Sequence, residues 1–197
     1  EIALQQGITP KDTLDVVRAC SDGGAAILVM TYWNLVESFG PTQFAAELAA
    51  AGGSGAITPD LTPEEAGEWI SACDELDLSH IFLAAPSSQE DRLARICSAS
   101  SGFVYAASLM GVTGARGTLG SGAPELVGRL RRHTDTPLAV GLGVSTGAQA
   151  AQVAQFADGV IVGSAFVRRV LAADTPAAAE DAVTELTREL VTSVQRP

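Results

Sequence analysis

The stretches Pro137–Gly143, PLAVGLG, and Gly159–Ser164, GVIVGS, decide the fold class of this chain. Each is a short apolar run without polar alternation, which is typical of a strand buried on both faces of a parallel sheet. Similar runs recur earlier, and the predicted strands are Ala25–Met30, Gly55–Thr58, His80–Ala84, Gly102–Ala107, Pro137–Gly141 and Gly159–Gly163. A helical stretch follows each run, so the sequence predicts an α/β fold with parallel strands.

The helices between these strands have recognisable starts. Thr9-Pro10-Lys11-Asp12 and Thr62-Pro63-Glu64-Glu65 match the capping box, with proline at the first helical position. The second one predicts a helix over Glu64–Leu76, whose apolar face includes Trp69. We therefore expect Trp69 in the core.

The length of the chain bounds the architecture. Its 197 residues hold six strand–helix units, or about 33 residues each, close to the roughly 31 per unit of a (β/α)8 barrel of ~250 residues. Two architectures stay open: a doubly wound open sheet, and a TIM barrel with six of its eight βα units present. In the second case, residues 1–197 form a single barrel domain whose strands 1 and 2 precede Glu1.

Composition limits the possible partners and the compartment. The net charge of −11 argues against nucleic acid and against an anionic membrane surface as partners. The three cysteines lack CxxC spacing and no apolar run reaches 18 residues, so we expect reduced thiols and a cytoplasmic protein. Within the sequence, no cluster of residues has metal-ligand spacing, and we predict no metal.

The loops after the last two predicted strands favour phosphate binding. Gly141-Leu142-Gly143 and Gly163-Ser164 each end a strand and precede a helix, so backbone N–H groups and the helix dipole can meet a phosphate there. The alternative is that these glycines only make tight turns. A dinucleotide fingerprint is weak, because the spacing to Gly147 is one residue too long and no acidic residue ends the next strand.

The loop Leu109–Gly122 is longer than usual for a strand–helix connection and contains five glycines and one arginine. We interpret it as a lid that closes over an anionic substrate. The predicted strand-end loops otherwise carry one carboxylate, Asp60, and neither histidine nor lysine. General acid–base catalysis needs titratable groups at the site. Either the chain is a binding module, or its acid and base lie in units that precede Glu1.

Six motifs, in this order and spacing, resemble the tryptophan synthase alpha chain: Met30–Asn34 (MTYWN), Pro59-Asp60, Phe103–Ser108 (FVYAAS), Gly111–Gly114 (GVTG), Gly141–Gly143 (GLG) and Gly163-Ser164. The resemblance implies a TIM barrel and a carbon–carbon lyase of aromatic amino acid biosynthesis. Such an enzyme cleaves indole-3-glycerol phosphate to indole and glyceraldehyde 3-phosphate by a retro-aldol route. It also implies an α2β2 heterotetramer, with pyridoxal phosphate held only by the beta chain and no cofactor in this chain.

The resemblance also assigns roles to residues. In the family, a glutamate and an aspartate act as acid and base; both precede the segment that matches Glu1, so no catalytic residue is expected in this chain. Asn34 matches a position at the beta-chain contact, and Leu142 stands where many members have phenylalanine. The residues that match substrate contacts are Tyr32 and Tyr105 near the indole, Thr113 and Gly114 in the lid, and Gly143, Gly163 and Ser164 at the phosphate.

Two rival functions remain at this stage. Another phosphate-binding barrel enzyme would need a lysine or glutamate at one of these strand ends, and the sequence has none there. The second rival is a truncated or degenerate, non-catalytic phosphate-binding barrel that binds and activates a partner enzyme. The sequence that precedes Glu1 distinguishes this rival from the lyase.

Overall fold

The computed structural model describes residues 5–107, 122–141 and 143–195, so that Thr113, Gly114 and Leu142 lie outside the described residues. The chain falls into two compact units, one of Glu1–Leu83 with Ser98–Gly102 and the other of Ala84–Cys97 with Phe103–Pro197. Each unit contains parallel strands separated in sequence by helices, as the apolar runs predict.

The first unit is built on a three-stranded sheet in the order β1 (Leu28–Met30), β2 (Gly55–Ile57), β3 (Ser79–Ile81). All strands run parallel, with Leu28 opposite Gly55 and Gly55 opposite Ser79. The helices of this part are α1 (Pro10–Cys20), α2 (Trp33–Phe39), α3 (Pro41–Ala50) and α4 (Gly67–Asp74), and a 3-10 turn follows α1 at Ser21–Gly23.

An aromatic cluster forms part of the core of the first unit. Trp69 is fully buried, as predicted, and its ring centroid lies 6.2 Å from that of Trp33 and 6.1 Å from that of Phe44. Burying aromatic side chains of this size supplies a large share of the apolar area removed from water. The cluster packs α2, α3 and α4 against one another.

The second sheet has the order β4 (Leu83–Ala84), β5 (Val104–Ala107), β6 (Leu138–Gly141), β7 (Gly159–Val160). β5 and β6 pair in parallel from Val104 opposite Leu138, and β6 and β7 from Ala139 opposite Gly159. The remaining helices are α5 (Glu90–Ala99), α6 (Gly122–Leu130), α7 (Gly147–Ala154), α8 (Ser164–Ala172) and α9 (Pro176–Val194).

Some helix and strand boundaries in the structure differ from the predicted ones. The capping box at Thr9 is present, because Thr9 and Asp12 exchange side-chain and backbone hydrogen bonds. The start of α4 was predicted too early: the Thr62 hydroxyl donates to Glu65 Oε2 at 2.8 Å instead of accepting a backbone N–H, and α4 begins at Gly67. The predicted strand His80–Ala84 is divided into β3 and β4 at Phe82.

An ion-pair cluster ties the start of α5 to the end of α6 in the second unit. The Glu90 carboxylate accepts from Arg129 Nε at 2.6 Å, faces His133 Nε2 at 3.0 Å and lies 3.3 Å from Arg132 Nη2. Arg129 also donates to the carbonyl oxygens of Pro86 and Ser88. The hydrogen bonds from Arg129 and then His133 lower the pKa of Glu90 from 4.5 to about 2.

This cluster predicts a pH dependence. Because the pKa of Glu90 is lowered on folding, its stabilisation is present above pH 4.5 and is lost as the pH falls towards about 2. Glu90→Gln is therefore expected to reduce the acid-induced fall in the free energy of unfolding between these values, measured by urea unfolding at several pH values. Glu125→Gln is the matched control, since Glu125 also lies in the first turn of a helix but has no ion pair with the described residues. Equal pH profiles for Glu90→Gln and the unsubstituted chain would contradict the prediction.

Candidate functional site

The carboxyl ends of β5, β6 and β7 form the centre of the candidate site. Ala107 lies opposite Gly141, and the Ile161 N–H donates to the Val140 carbonyl at 2.8 Å. Ala139 pairs with Gly159, which lies 20 residues further along the chain. Gly163 likewise lies 20 residues after Gly143. The register therefore brings the two glycines predicted for phosphate binding to the same edge of the sheet.

Backbone geometry explains the glycine at 143. Its φ is +99°, a conformation that side chains with a β-carbon rarely adopt. Gly163 has a φ of −124° and is the residue before α8; a β-carbon built on it meets no atom of the described residues within 4 Å. The residues that the structure describes thus leave room beside Gly163 at the start of α8.

The N-terminus of α8 offers free donors. Within the described residues, no side chain accepts from the N–H groups of Ser164 and Ala165, and Gly163 has no side chain to cap them. Arg168, one helical turn further along the chain, donates through Nη1 to the Ser164 hydroxyl at 3.3 Å, so its guanidinium lies beside the first residue of α8. Unpaired N–H groups, the helix dipole and a nearby cation together form a site that suits an anion.

The N-terminus of α7 differs from the sequence-based expectation. Both helices were predicted to present free N–H donors after their glycines, and for α7 that prediction is wrong at two of the first-turn positions. The Gln149 N–H donates to the Thr146 hydroxyl at 3.3 Å, and the Gly147 N–H donates to Glu189 Oε1 at 2.5 Å. These donors are already paired inside the protein, and of the two helices α8 is the one whose first N–H groups have no side-chain acceptor among the described residues.

Tyr105 lies beside the same sheet edge. It is 4 % exposed, and a β-carbon built on Gly141 would overlap its hydroxyl group and lie 2.9 Å from Ile161 Cβ. Burial raises the pKa of the Tyr105 phenol, so the group is neutral over the physiological pH range. A neutral buried phenol ring is suited to contact an apolar aromatic ligand.

Tyr32 and Asn34 belong to the first unit. Tyr32 immediately precedes α2 and is 65 % exposed, and Asn34 in the first turn of that helix is also exposed. Asp60, the carboxylate that the sequence places at a strand end, accepts from the Trp33 N–H at 2.9 Å through Oδ1. Asp60 therefore caps α2, a role that sequence reasoning missed because 27 residues separate the two partners.

The buried side chains of His80, Cys73 and Cys97 lie in surroundings that favour a structural role. His80 is buried, donating through Nδ1 to the Ala99 carbonyl at 2.7 Å and facing Asp74 with Nε2 at 3.0 Å. Burial raises the pKa of Cys73 to about 12 and that of Cys97 to about 11, which disfavours the nucleophilic thiolate. Over the described residues, no group of three or more His, Cys, Asp or Glu side chains is arranged to hold a metal ion.

Comparison with known proteins identifies the family. The family model described as "Tryptophan synthase alpha chain" matches residues 1–195. Curated alpha chains from Thermobifida fusca and Acidothermus cellulolyticus are 57 % and 52 % identical, over 98 % and 100 % of this chain and 73 % of each relative. This chain belongs to the tryptophan synthase alpha chain family.

Solved structures agree with that assignment. Tryptophan synthase from Mycobacterium tuberculosis matches with a TM-score of 0.88 and 52 % identity, over 99 % of this chain and 72 % of that one. A structure of the tryptophan synthase α2β2 complex from Pyrococcus furiosus matches with a TM-score of 0.85 and 32 % identity, over 96 % and 77 %. The predicted fold class, a (β/α)8 barrel represented over part of its length, is confirmed, and the doubly wound sheet is set aside.

The structure describes no helix long and apolar enough to cross a membrane, within the residues that it covers.

The predicted site residues of the alpha chain fall into three groups. Tyr105, Gly143, Gly163 and Ser164 lie in the second unit around one sheet edge, and Tyr32 and Asn34 lie in the first. Thr113 and Gly114 lie outside the described residues.

Proposed function

We propose that this chain acts as a tryptophan synthase alpha chain, a lyase that cleaves indole-3-glycerol phosphate to indole and glyceraldehyde 3-phosphate. In this reaction the bond between indole C3 and the side chain breaks. Carbon C3 gains a proton, and the hydroxyl on the released carbon loses one and becomes the aldehyde. The observation that carries the proposal is the open N-terminus of α8 beside Gly143 in a chain of this family.

The phosphate is proposed to bind at the start of α8. Backbone N–H groups of Ser164 and Ala165 would donate to its oxygens, Gly163 leaves room for a close approach, and Gly143 allows the neighbouring loop to adopt its left-handed backbone. Arg168 adds a positive charge one turn away. A local arrangement of this kind binds a dianion even though the chain has a net charge of −11.

The indole part is proposed to lie against Tyr105. Its ring is buried beside Gly141, and an indole at this sheet edge would lie close to a neutral aromatic side chain. Tyr32 is the second residue proposed to contact the indole, on the basis of the family motif that it matches. A contact with a neutral side chain of this kind would orient the substrate for cleavage without taking part in proton transfer.

The acid and base of the reaction are proposed to come from a segment that precedes Glu1 in the full-length protein. Asp60 is committed to capping α2, and His80 is held by Ala99 and Asp74, so neither is available for proton transfer. No observation on the described residues favours the alternative of a non-catalytic barrel. The chain spans 73 % of the length of its T. fusca relative, so the complete alpha chain is the protein to assay.

A beta chain is the proposed partner, in an α2β2 complex such as the one named for the P. furiosus relative. Asn34 is exposed in the first turn of α2 and is proposed to lie at this contact. We propose that pyridoxal phosphate is bound by the beta chain and that this chain needs no cofactor or metal. The free thiols of Cys20, Cys73 and Cys97 fit a reducing cytoplasm.

The proposed activity is tested by measuring indole release from indole-3-glycerol phosphate by the complete alpha chain, alone and with the beta chain. Release of indole with glyceraldehyde 3-phosphate in equal amounts is the expected result. An alpha chain that binds the substrate and stimulates the beta chain, but releases no indole in either assay, would contradict it.

The proposed lid makes a separate prediction. Thr113→Val removes a hydroxyl group and keeps the side-chain volume, so indole release is expected to slow by about tenfold, as for the loss of one transition-state hydrogen bond. The melting temperature of the complete alpha chain is expected to stay unchanged. Thr118→Val, in the same loop, is the matched control. A Thr113→Val rate equal to that of Thr118→Val would contradict the assignment.

A further inference from the structure

Helix α9 packs against α7, and its Glu189 side chain binds the N-terminus of α7. Glu189 Oε1 accepts from the Gly147 N–H at 2.5 Å, between residues that are 42 positions apart. Gly147 permits this approach, because a β-carbon built there would overlap the Ser193 hydroxyl and lie 3.0 Å from Glu189 Cγ. The last helix therefore contacts the point where the Gly143 loop enters α7.

The residues between Gly143 and α7 are held from a second side. Gln149 Oε1 accepts from the Ser145 N–H at 2.8 Å and from the Ser145 hydroxyl at 3.1 Å. The Thr146 hydroxyl accepts from the Gln149 N–H. The loop is thus anchored locally by the first turn of α7, and at its far end by α9 through Glu189.

We propose that Glu189 is a positioning residue for phosphate binding: its carboxylate oxygen holds the exit of the Gly143 loop at the sheet edge where the phosphate is proposed to bind. The inference rests on the proposed function, since it assumes that phosphate binds at this sheet edge. Glu189 is not proposed to touch the substrate. It acts through the Gly147 N–H, and displacing a binding loop by less than an ångström is enough to weaken the contacts that it makes.

Two conservative variants distinguish the effect of the Glu189 hydrogen bond from the effect of its charge. Glu189→Gln keeps an acceptor oxygen at the same distance and removes the charge, whereas Glu189→Asp keeps the charge and withdraws the carboxylate by one methylene. In the complete alpha chain with its beta chain, Glu189→Asp is expected to raise KM for indole-3-glycerol phosphate and Ki for inorganic phosphate by about fivefold. Its kcat is expected to stay within about twofold of the unsubstituted value, because no group that transfers a proton moves.

Glu189→Gln is expected to keep KM and Ki within about twofold of the unsubstituted values. Glu185→Asp and Glu185→Gln are matched controls on the same helix, since the Glu185 side chain is 77 % exposed and lies 3.8 Å from Arg169. Neither is expected to change KM or Ki. Both Glu189 variants retain a polar side chain of similar size, so the fold is expected to persist, and thermal unfolding of the complex checks this.

Three results would overturn the inference. The first is an unchanged Ki for phosphate in Glu189→Asp, and the second is an equal loss in Glu189→Gln, which would assign the effect to charge. The third is the same loss in the Glu185 pair, which would assign it to α9 in general. Failure of the proposed function is distinguishable, because in that case the unsubstituted complex would release no indole from indole-3-glycerol phosphate.

Discussion

Gly163→Asp is expected to raise KM for indole-3-glycerol phosphate by roughly 100-fold or more, which corresponds to about 2.7 kcal/mol of lost binding. The new carboxylate would lie at the start of α8, where the phosphate is proposed to bind and where a β-carbon meets no atom within 4 Å. Two unit charges about 4 Å apart repel by about 4 kcal/mol in an effective dielectric constant of about 20. The measurement is steady-state indole release, with calorimetric titration of inorganic phosphate.

The same substitution is not expected to unfold the chain. Aspartate is favourable at the start of a helix, because its charge complements the helix dipole. Gly163→Ala is the matched control: it adds a β-carbon to the same backbone conformation, at a φ of −124°, without the charge. If Gly163→Asp bound phosphate as tightly as Gly163→Ala, the phosphate would have to lie elsewhere.

The parallel strands were the most predictable part of the fold. Runs such as Pro137–Gly141 are apolar throughout because helices cover both faces of a parallel sheet, and this leaves a signal in the sequence. Strand ends were less predictable: the run Gly159–Gly163 contributes only Gly159–Val160 to β7. Beyond Val160 the chain turns towards α8, and an apolar composition by itself does not distinguish a strand from a half-buried turn.

The loops that form the proposed phosphate site were predictable from the sequence. Gly143 and Gly163 follow successive strands, and parallel strands bring their carboxyl ends to one edge. Which helix has free donors was not predictable, because it depends on Glu189 reaching Gly147 from 42 residues away. The helix starts look alike in sequence, and only the packing of α9 shows that one of them already holds an internal carboxylate.

Asp60 shows the same limit for catalytic residues. A carboxylate that follows a strand in an α/β fold is a reasonable candidate acid or base. In the structure, its oxygen accepts from the Trp33 N–H, and this bond fixes the start of α2. The sequence gives the residue type and the element that precedes it, but its partner depends on how β1 and β2 pair.

Gly141→Ala is expected to lower the free energy of unfolding of the complete alpha chain by about 2–3 kcal/mol, in the range for overpacking a filled core. Gly141 ends β6, which is buried along its whole length, and the added β-carbon would overlap the Tyr105 hydroxyl and press on Ile161. Tyr105 cannot move aside without leaving its own buried position, where it is 4 % exposed. The measurement is urea unfolding of the two chains.

A second substitution distinguishes this steric cause from a general effect of alanine in the strand. Tyr105→Leu removes the part of the ring that the new β-carbon would overlap, so adding Gly141→Ala to Tyr105→Leu is expected to cost less than about 1 kcal/mol. Gly159→Ala serves as a comparison in the neighbouring strand, since its β-carbon would meet Ala139 Cβ at 3.1 Å and no larger side chain. If Gly141→Ala were as costly with leucine at position 105 as with tyrosine, Tyr105 would not be the group that requires glycine at position 141.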